Sequence, residues 1–445
     1  MIIHQKNKAM KAGKESSYNP DRRKFLQHTG AVLGGMALPI GYVDASPRRV
    51  GVANVLKVGL IGCGGRGAGA AGQALAADPD VILTAMGDVF SDRLDESYEA
   101  LMELYPTKVK VNKENKFVGF DAYQKVINSG VDVVLLTTPP AFRPDHLVAA
   151  INAGKHAFCE KPVAVDAPGV RKVLAAAKKA KEKKLSVVSG FCFRYDNPKR
   201  ELFQRIHKGD IGEVKTVSTI RNGGPLWTKP RQAGWTDMEY KLRNWLYYSW
   251  LSGDFITEMM VHSLDLMSWA LGDKTPLKAT GTGGRQVRTE EIYGNVYDHF
   301  AIEFEYPNGV RGFHFSRQLD GCSMVNKVDI AGTLGDAWIG GAAGHEITGK
   351  NAWKFAGERN DMYQVEHDEL FASIRSGKPM NDGESMAQSS MLGVLGRMAA
   401  YTGQTIAWEE ALNSNQSLAP AIDQYTWDLK WPGHEVAKPG ITKLF

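Results

Sequence analysis

The sequence predicts an α/β protein, a doubly wound parallel sheet followed by an α+β domain on a largely antiparallel sheet. Three observations predict it. From Val55 to about Val188, nearly continuous apolar runs alternate with amphipathic helical patterns, as in a parallel sheet covered on both faces. After Arg194, alternating apolar and polar segments rich in glycine and aromatics take over, the mark of antiparallel strands. A length of 445 residues exceeds one ordinary core and asks for two domains plus a tail.

The elements follow in order. Met1 to Asp21 is polar, and Arg22-Arg23-Lys24-Phe25-Leu26 leads into a weakly apolar run, Ala31 to Val43. Small or apolar side chains flank Asp44 where a signal peptidase reads. Residues 1–46 thus resemble a twin-arginine export signal, a receptor-read address. The run is too short and glycine-rich to span a bilayer. Residues 52–190 form the first domain, with strands expected at 55–61, 81–86, 132–137, 156–159 and 185–190. Its helices are expected at 67–77, 91–104, 143–153 and 167–183. Residues 191–405 form the second domain, with strands at 213–221, 277–287, 297–305, 309–317 and 325–331. Helices are expected there at 254–271, 362–376 and 384–402. Residues 406–445 are a tail rich in Trp and Pro, including Trp408, Trp427, Trp431 and Pro432.

Composition narrows the classes. The net charge of +5 is modest and dispersed. The one lysine cluster, Lys178 to Lys184, ends a helical pattern, where cations suit the macrodipole, so it reads as a solvated helix end and not a nucleic-acid site. Cys63, Cys159, Cys192 and Cys322 show no C-x-x-C spacing, which argues against zinc or thioredoxin-like chemistry. Cys63 and Cys159 read as small buried residues.

The most telling stretch is Lys57 to Gly67. A short apolar strand feeds Gly62-x-Gly64-x-x-Gly67 and then a helix of small residues. Gly62 permits the turn, Gly64 lets backbone approach a pyrophosphate, and Gly67 lets helix and strand pack closely. The helix N-terminus, with Gly65 and Arg66, offers free N–H groups to phosphates. The next strand ends at Asp88, whose carboxylate suits a ribose 2′-OH and would repel a 2′-phosphate, so NAD is favoured over NADP. Arg93, the turn at Thr138-Pro139, His146 and Glu160 complete the candidate cofactor contacts.

Cys159-Glu160-Lys161-Pro162 follows the strand 156–159. The proline halts regular structure and holds Lys161 at a strand end facing the crevice. A lysine there, with its pKa lowered by partial burial and a neighbouring cation, can move a hydroxyl proton as hydride leaves. On the expected helix 254–271, Glu258, His262 and Asp265 fall at i, i+4 and i+7 on one face. The histidine titrates near neutrality and either carboxylate could orient it. The three are also metal-ligand types, although no metal is assigned. A hydrogen-bonded packing cluster is the structural alternative.

These residues resemble the glucose–fructose oxidoreductase, inositol dehydrogenase and rhizopine-catabolism (Gfo/Idh/MocA) superfamily over roughly 55–405. The likeness rests on the glycine pattern, on His146 with Ala153-Gly154-Lys155-His156 leading to Glu160-Lys161-Pro162, and on His262-Ser263-Leu264-Asp265. In that family the E-K-P lysine and a D-x-x-x-H pair serve hydride transfer; Lys161 and Glu258-x-x-x-His262 correspond. Glutamate replaces the usual aspartate, and Gly253-Asp254 stands where paired glycine is more usual. The resemblance implies a dinucleotide-binding Rossmann domain and a second domain whose open sheet makes a homo-oligomer, dimer or tetramer. It implies sugars, cyclitols or their derivatives as substrates. Arg194, Tyr195, Arg243, Asn244, Trp245, Tyr297, Asp298, His299 and Arg317 mix aromatic and hydrogen-bonding groups, as a polyol pocket needs.

The resulting expectation is an exported NAD-dependent sugar oxidoreductase in which Lys161 and His262 share the proton work. Outside the cytoplasm no free nicotinamide pool exists, so a tightly held cofactor is expected. Two other readings stand beside it. One is an NAD-dependent glycoside hydrolase or lyase that oxidises C3 transiently; the other is a non-catalytic sugar-binding protein.

Overall fold

The computed structural model describes residues 55–340, 344–431 and 435–443; the leader 1–46 and Pro432 lie outside the described residues. The first sheet contains β1 (Leu56–Ile61), β2 (Val81–Asp88), β3 (Lys116–Val118), β4 (Val133–Leu136), β5 (His156–Cys159) and β6 (Val187–Ser189). Their order is β3-β2-β1-β4-β5-β6, and every pairing is parallel. Between them run α1 (Gly65–Ala77), α2 (Ser91–Leu104), α3 (Ala122–Asn128), α4 (Arg143–Asn152) and α5 (Ala167–Glu182). The strand order reverses between β1 and β4, which opens a crevice at their carboxyl ends. Helix α1 lies close to the sheet because Ala68, Ala70, Ala71 and Ala74 are all buried. At α5, Asp166 caps the start by accepting from the Gly169 N–H, and Lys179 and Lys181 occupy the last turn. Short β3 and α3 were not foreseen, since three and seven residues carry too little periodicity to read.

The second sheet contains β7 (Val214–Gly223), β8 (Lys278–Gly284), β9 (His299–Glu305), β10 (Arg311–Gln318), β11 (Val325–Gly332), β12 (Gly335–Gly340), β13 (Gly344–Gly349), β14 (Trp353–Lys354) and β15 (Ile406–Ala407). Their order is β14-β13-β12-β11-β7-β10-β9-β8-β15. The β7–β10 pair is parallel, and the other pairs are antiparallel. Helices α6 (Asn197–His207), α7 (Asp237–Arg243), α8 (Ser249–Ser252), α9 (Asp254–Glu258), α10 (Val261–Ala270), α11 (Met362–Ser376), α12 (Gly383–Thr402) and α13 (Trp408–Leu412) complete the chain. One face of the sheet is covered: in β10, Gly312, His314, Ser316 and Gln318 are buried while Phe315 on the other face is exposed. α10 and α12 lie on the covered face and are buried along nearly all their length.

The single helix expected over 254–271 is two helices, broken at Met259–Met260. The segment opens in left-handed backbone, Gly253 at φ 79° and Asp254 at φ 67°, which explains why glycine would be usual there. Asp254 is held by hydrogen bonds to its carboxylate from the N–H groups of Phe255 and Tyr297 and the hydroxyl of Tyr401.

Buried histidines make the fold acid-sensitive. Burial holds His146 and His314 down to about 3 and His345 to about 4. Unfolded, each takes a proton near pH 6.5. Between pH 6.5 and 4 these three sites bind more protons in the unfolded chain, so their contribution lowers stability as pH falls, against the opposite effect of buried carboxylates such as Asp254, raised to about 6. At pH 5 each histidine removes about 2 kcal/mol relative to pH 7 and above. Urea melts from pH 7 to 5 should lose about 2 kcal/mol less stability in His314→Gln than in wild type; identical pH dependence in the two would refute it.

Candidate active site

The crevice begins with the glycine turn. A Cβ on Gly62, which has φ 95°, would sit 2.6 Å from the Thr138 nitrogen. A Cβ on Gly67 would lie 2.0 Å from the Gly62 carbonyl oxygen. Gly64 differs, since its Cβ would meet only Arg93, at 3.6 Å, and Gly65 faces open space. Two glycines thus close the turn, and the third leaves room above it. That room is a cavity of about 120 Å³ lined by Gly62, Gly64, Asp88, Arg93, Thr138, Pro139 and His146, all expected from the sequence. Open backbone at a helix N-terminus beside a strand-end carboxylate is the donor set a dinucleotide needs.

Asp88 accepts hydrogen bonds from the N–H groups of Cys63, at 2.6 Å, and Phe90, at 2.9 Å. These fix its carboxylate at the cavity wall. With Arg93 already there, Asp88→Ser should remove the repulsion that excludes a 2′-phosphate. We expect the NAD-over-NADP binding preference to fall at least tenfold, read by fluorescence titration of nucleotide-stripped protein. An unchanged ratio would take Asp88 out of cofactor choice.

Aromatic residues line the cavity, and of these Tyr123, Phe90, Phe120 and Phe142 are not evident in the sequence. Tyr123 stacks on His146 with ring centres 4.2 Å apart, and His146 Nδ1 meets the Thr138 hydroxyl at 3.2 Å. Phe90, Phe120, Phe142 and Trp245 also line it. The tail backs this wall: Trp427 packs on Phe90 and Phe120, and Tyr425 on Phe142. Trp245, expected at the sugar, belongs to the cofactor cavity instead.

Lys161 stands at the end of β5, where the Lys161–Pro162 bond is cis. Glu160 turns inward: its Oε2 accepts from the Lys161 N–H at 3.0 Å, and its Oε1 pairs with Arg66. Gly190 leaves the room, since a Cβ there would lie 2.6 Å from Glu160 Oε2. Arg66 also pairs with Glu366 and Gln73. Both expected cofactor contacts, Arg66 and Glu160, are therefore engaged with protein partners and support Lys161 from behind. Buried Arg143 donates to the carbonyls of Thr138, at 2.7 Å, and Pro162, at 2.6 Å. It ties the two strand-end loops together on either side of Lys161.

The lysine points across to the second domain. Its Nζ donates to the Glu258 carbonyl at 2.8 Å and to Glu258 Oε1 at 3.2 Å. The expected neighbouring cation is not what it touches. This contact also accounts for the helix break, because the carbonyl that a continuous helix would offer to the His262 N–H is taken by Lys161. His262 follows the break, buried against Phe193 and the edge of Phe191. Burial pushes its imidazole well below the ordinary range, helped by the charges of Lys161, Arg221, Lys199 and Arg66, in that order. His262 is thus neutral at pH 7 and keeps an acceptor nitrogen.

Other expected site residues are engaged elsewhere. Asp265 is fully buried, paired with Arg194 and bonded by the Ser389 hydroxyl at 2.7 Å. It does not orient His262, whose Nδ1 has no partner. Arg194 also binds Asp273, so its guanidinium is shared between two carboxylates. The hydroxyls of Tyr195 and Tyr297 donate to Asp382 and the Ala437 carbonyl. Asn244 braces Lys229 and Ile292 by its amide. Arg243 is paired with Asp92 and Glu239, Arg317 donates to the Ser323 carbonyl, and His299 is paired with Asp298. Among the described residues no three His, Cys, Asp or Glu side chains converge to hold a metal. Cys63, Cys159 and Cys192 are buried, and burial pushes the Cys159 thiol up to about 12.

Comparison with known proteins agrees with this architecture. Residues 56–189 match the oxidoreductase family with an NAD-binding Rossmann fold, and 200–337 match the GFO/IDH/MocA C-terminal domain. The myo-inositol 2-dehydrogenase of Thermotoga maritima is 24% identical over 370 residues, 80% of this chain and 100% of that protein. The 2,7-anhydro-N-acetylneuraminate hydratase of Escherichia coli K12 is 24% identical over 280 residues, 60% of this chain and 70% of that protein. The fold is shared with aldose-aldose oxidoreductase from Caulobacter crescentus, solved with glycerol, at a TM-score of 0.62 and 19% identity, covering 79% of this chain and 99% of that one. With its glycine cradle, its strand-end Asp88 and the E-K-P lysine set against a histidine of the second domain, this chain belongs to the Gfo/Idh/MocA family of NAD-binding oxidoreductases.

Proposed function

We propose that the protein oxidises a ring hydroxyl of a sugar, cyclitol or glycoside, with NAD held tightly in the crevice. The observation that carries this is the meeting of Lys161 from one domain with Glu258 and His262 from the other. Bound NAD supplies the hydride acceptor. His262, neutral and shielded, accepts the hydroxyl proton. Lys161 donates to the hydroxyl oxygen and is itself positioned by Glu258. The aromatic wall around the cavity supports slow cofactor exchange. The twin-arginine-like leader supports export to the periplasm as folded, loaded protein. The exposed sheet face, with Phe315 and half-buried Trp338, supports assembly into a homo-oligomer.

The test is mass spectrometry of nucleotide retained after extensive dialysis, followed by a panel of sugars and glycosides. Retained NAD, and nicotinamide absorbance rising on sugar addition, is the expected result. A protein that purifies empty and exchanges NAD freely would remove tight binding from the reading. A second, redox-neutral reading draws on the similarity to a hydratase and on the neutral base at His262, which suits C–H deprotonation. Release of water or an aglycone with no net NADH would favour it.

A further inference from the structure

Among the described residues nothing pairs with Arg221, whose Nη1 is buried. It stands near the end of β7, opposite Ser316 of β10 and Asn326 of β11. That register puts it on the covered face of the sheet, with Val217 and Thr219. Its charge acts on Glu258, Cys192 and Tyr363, and it depresses His262. The sheet face and these mutual charge effects place Arg221 on the side of the sheet that Glu258 and His262 approach.

Four cations act on His262, and three have counter-charges. Lys161 has Glu258, Lys199 has Asp196, and Arg66 has Glu160 and Glu366. Among the described residues Arg221 has neither ion pair nor hydrogen bond, and its Nη1 is buried without a partner. Glu258, the carboxylate it faces, is already held by Lys161. Arg221 is half-buried, and leaving its buried Nη1 without a partner is costly. Its planar fork matches a carboxylate with two parallel hydrogen bonds.

We infer that Arg221 anchors a carboxylate of the substrate, so that the sugar oxidised here is an acidic one, of the uronate or aldonate class. The fork holds the carboxylate at the sheet side of the crevice. The hydroxyl to be oxidised then reaches across to Lys161 and His262. Asn326, on the same face, offers an amide to a neighbouring hydroxyl. This assignment rests on the oxidoreductase reading for its chemistry, but its binding can be measured apart from turnover.

The experiment uses the full protein as purified, with its own nucleotide. Thermal shift and calorimetry compare glucuronate, glucose and glucose 6-phosphate, and KM is measured for each sugar that reduces the cofactor. Glucuronate should stabilise the wild type at concentrations at least thirtyfold below glucose. Arg221→Gln should cut that preference at least thirtyfold, with Arg221→Lys intermediate because it keeps the charge and loses the fork. Equal responses to glucuronate and glucose in the wild type would overturn the inference, and this comparison holds even if Arg221→Gln does not fold. A preference for glucose 6-phosphate would overturn the carboxylate assignment as well. Uronate binding through Arg221 without cofactor reduction by any sugar would instead sink the oxidoreductase reading and leave the anion site standing.

Discussion

Lys161→Met is expected to lower kcat/KM by about 10²–10⁴-fold on whichever sugar reduces the cofactor, the range for losing a positioned proton-transfer group. Nucleotide content should change less than twofold, because the cradle and Asp88 are untouched. The substitution also strands Glu258, a carboxylate that is 8% exposed, and an orphaned buried charge is destabilising in itself. Lys161→Met/Glu258→Gln separates the two effects. If stability returns in the double variant while activity stays low, the lysine acts in the reaction. The pH profile gives an independent reading. His262 must be neutral to accept a proton, and its depressed pKa puts the acid limb of kcat/KM below pH 6.5. Lys161 exerts the largest of the charge effects on that imidazole, so its removal should move the acid limb upward. Activity within threefold of wild type, or an acid limb that does not move, would take Lys161 out of the mechanism.

The second large effect is expected at Gly67. An alanine methyl there would stand 2.0 Å from the Gly62 carbonyl oxygen and 2.8 Å from Thr137 Oγ1. Neither can retreat, because Gly62 forms the turn and the Thr137 hydroxyl donates to the Gly62 carbonyl at 2.6 Å. Helix α1 must therefore lift from β1. Overpacking of this kind costs about 1–3 kcal/mol, and displacing the helix N-terminus moves the N–H groups that would face a phosphate. Gly67→Ala should purify with at least tenfold less nucleotide and a lower melting temperature. Gly69→Ala, two residues along the same helix, meets only Arg66 Nη1 at 3.6 Å, so it is the control and should match wild type. Equal nucleotide in both variants would refute the packing argument.

Much of the first domain is legible because its signals are local. Strands such as Val133–Leu136 are uniformly apolar, and glycines mark the turn that follows β1. The far end of the second sheet was less legible. Gly335–Gly340 and Gly344–Gly349 begin and end in glycine, so neither shows enough alternation to stand out as a strand. The break at Met259–Met260 was hidden for another reason. Residues on both sides are buried all round, so nothing in the periodicity distinguishes one helix from two. Only a contact from Lys161, far earlier in the chain, takes the carbonyl that continuity would need.

The same limit governed the site. Lys161, Glu258 and His262 could be named because each sits in a recognisable pattern. Asp265 sits in one too, and its pairing with Arg194 depends on how α10 is rotated in the core. Arg221 lies in a plain alternating strand, Ile220-Arg221-Asn222. Its interest arises from what fails to surround it, and a sequence does not record vacancies. The aromatic lining was missed because Phe90, Phe120 and Phe142 become one wall only when the tail is laid across them.

That wall bears on folding. Phe90 and Phe120 belong to the first domain, whereas Tyr425 and Trp427, which back them, lie far downstream in the chain. The nucleotide pocket is therefore a non-local structure, slow to close by its topology. Firm hold on the nucleotide therefore depends on the segment around Tyr425 and Trp427, and a chain clipped before it would bind the nucleotide loosely. Occupancy of the pocket thus reports that two distant stretches of the chain have docked.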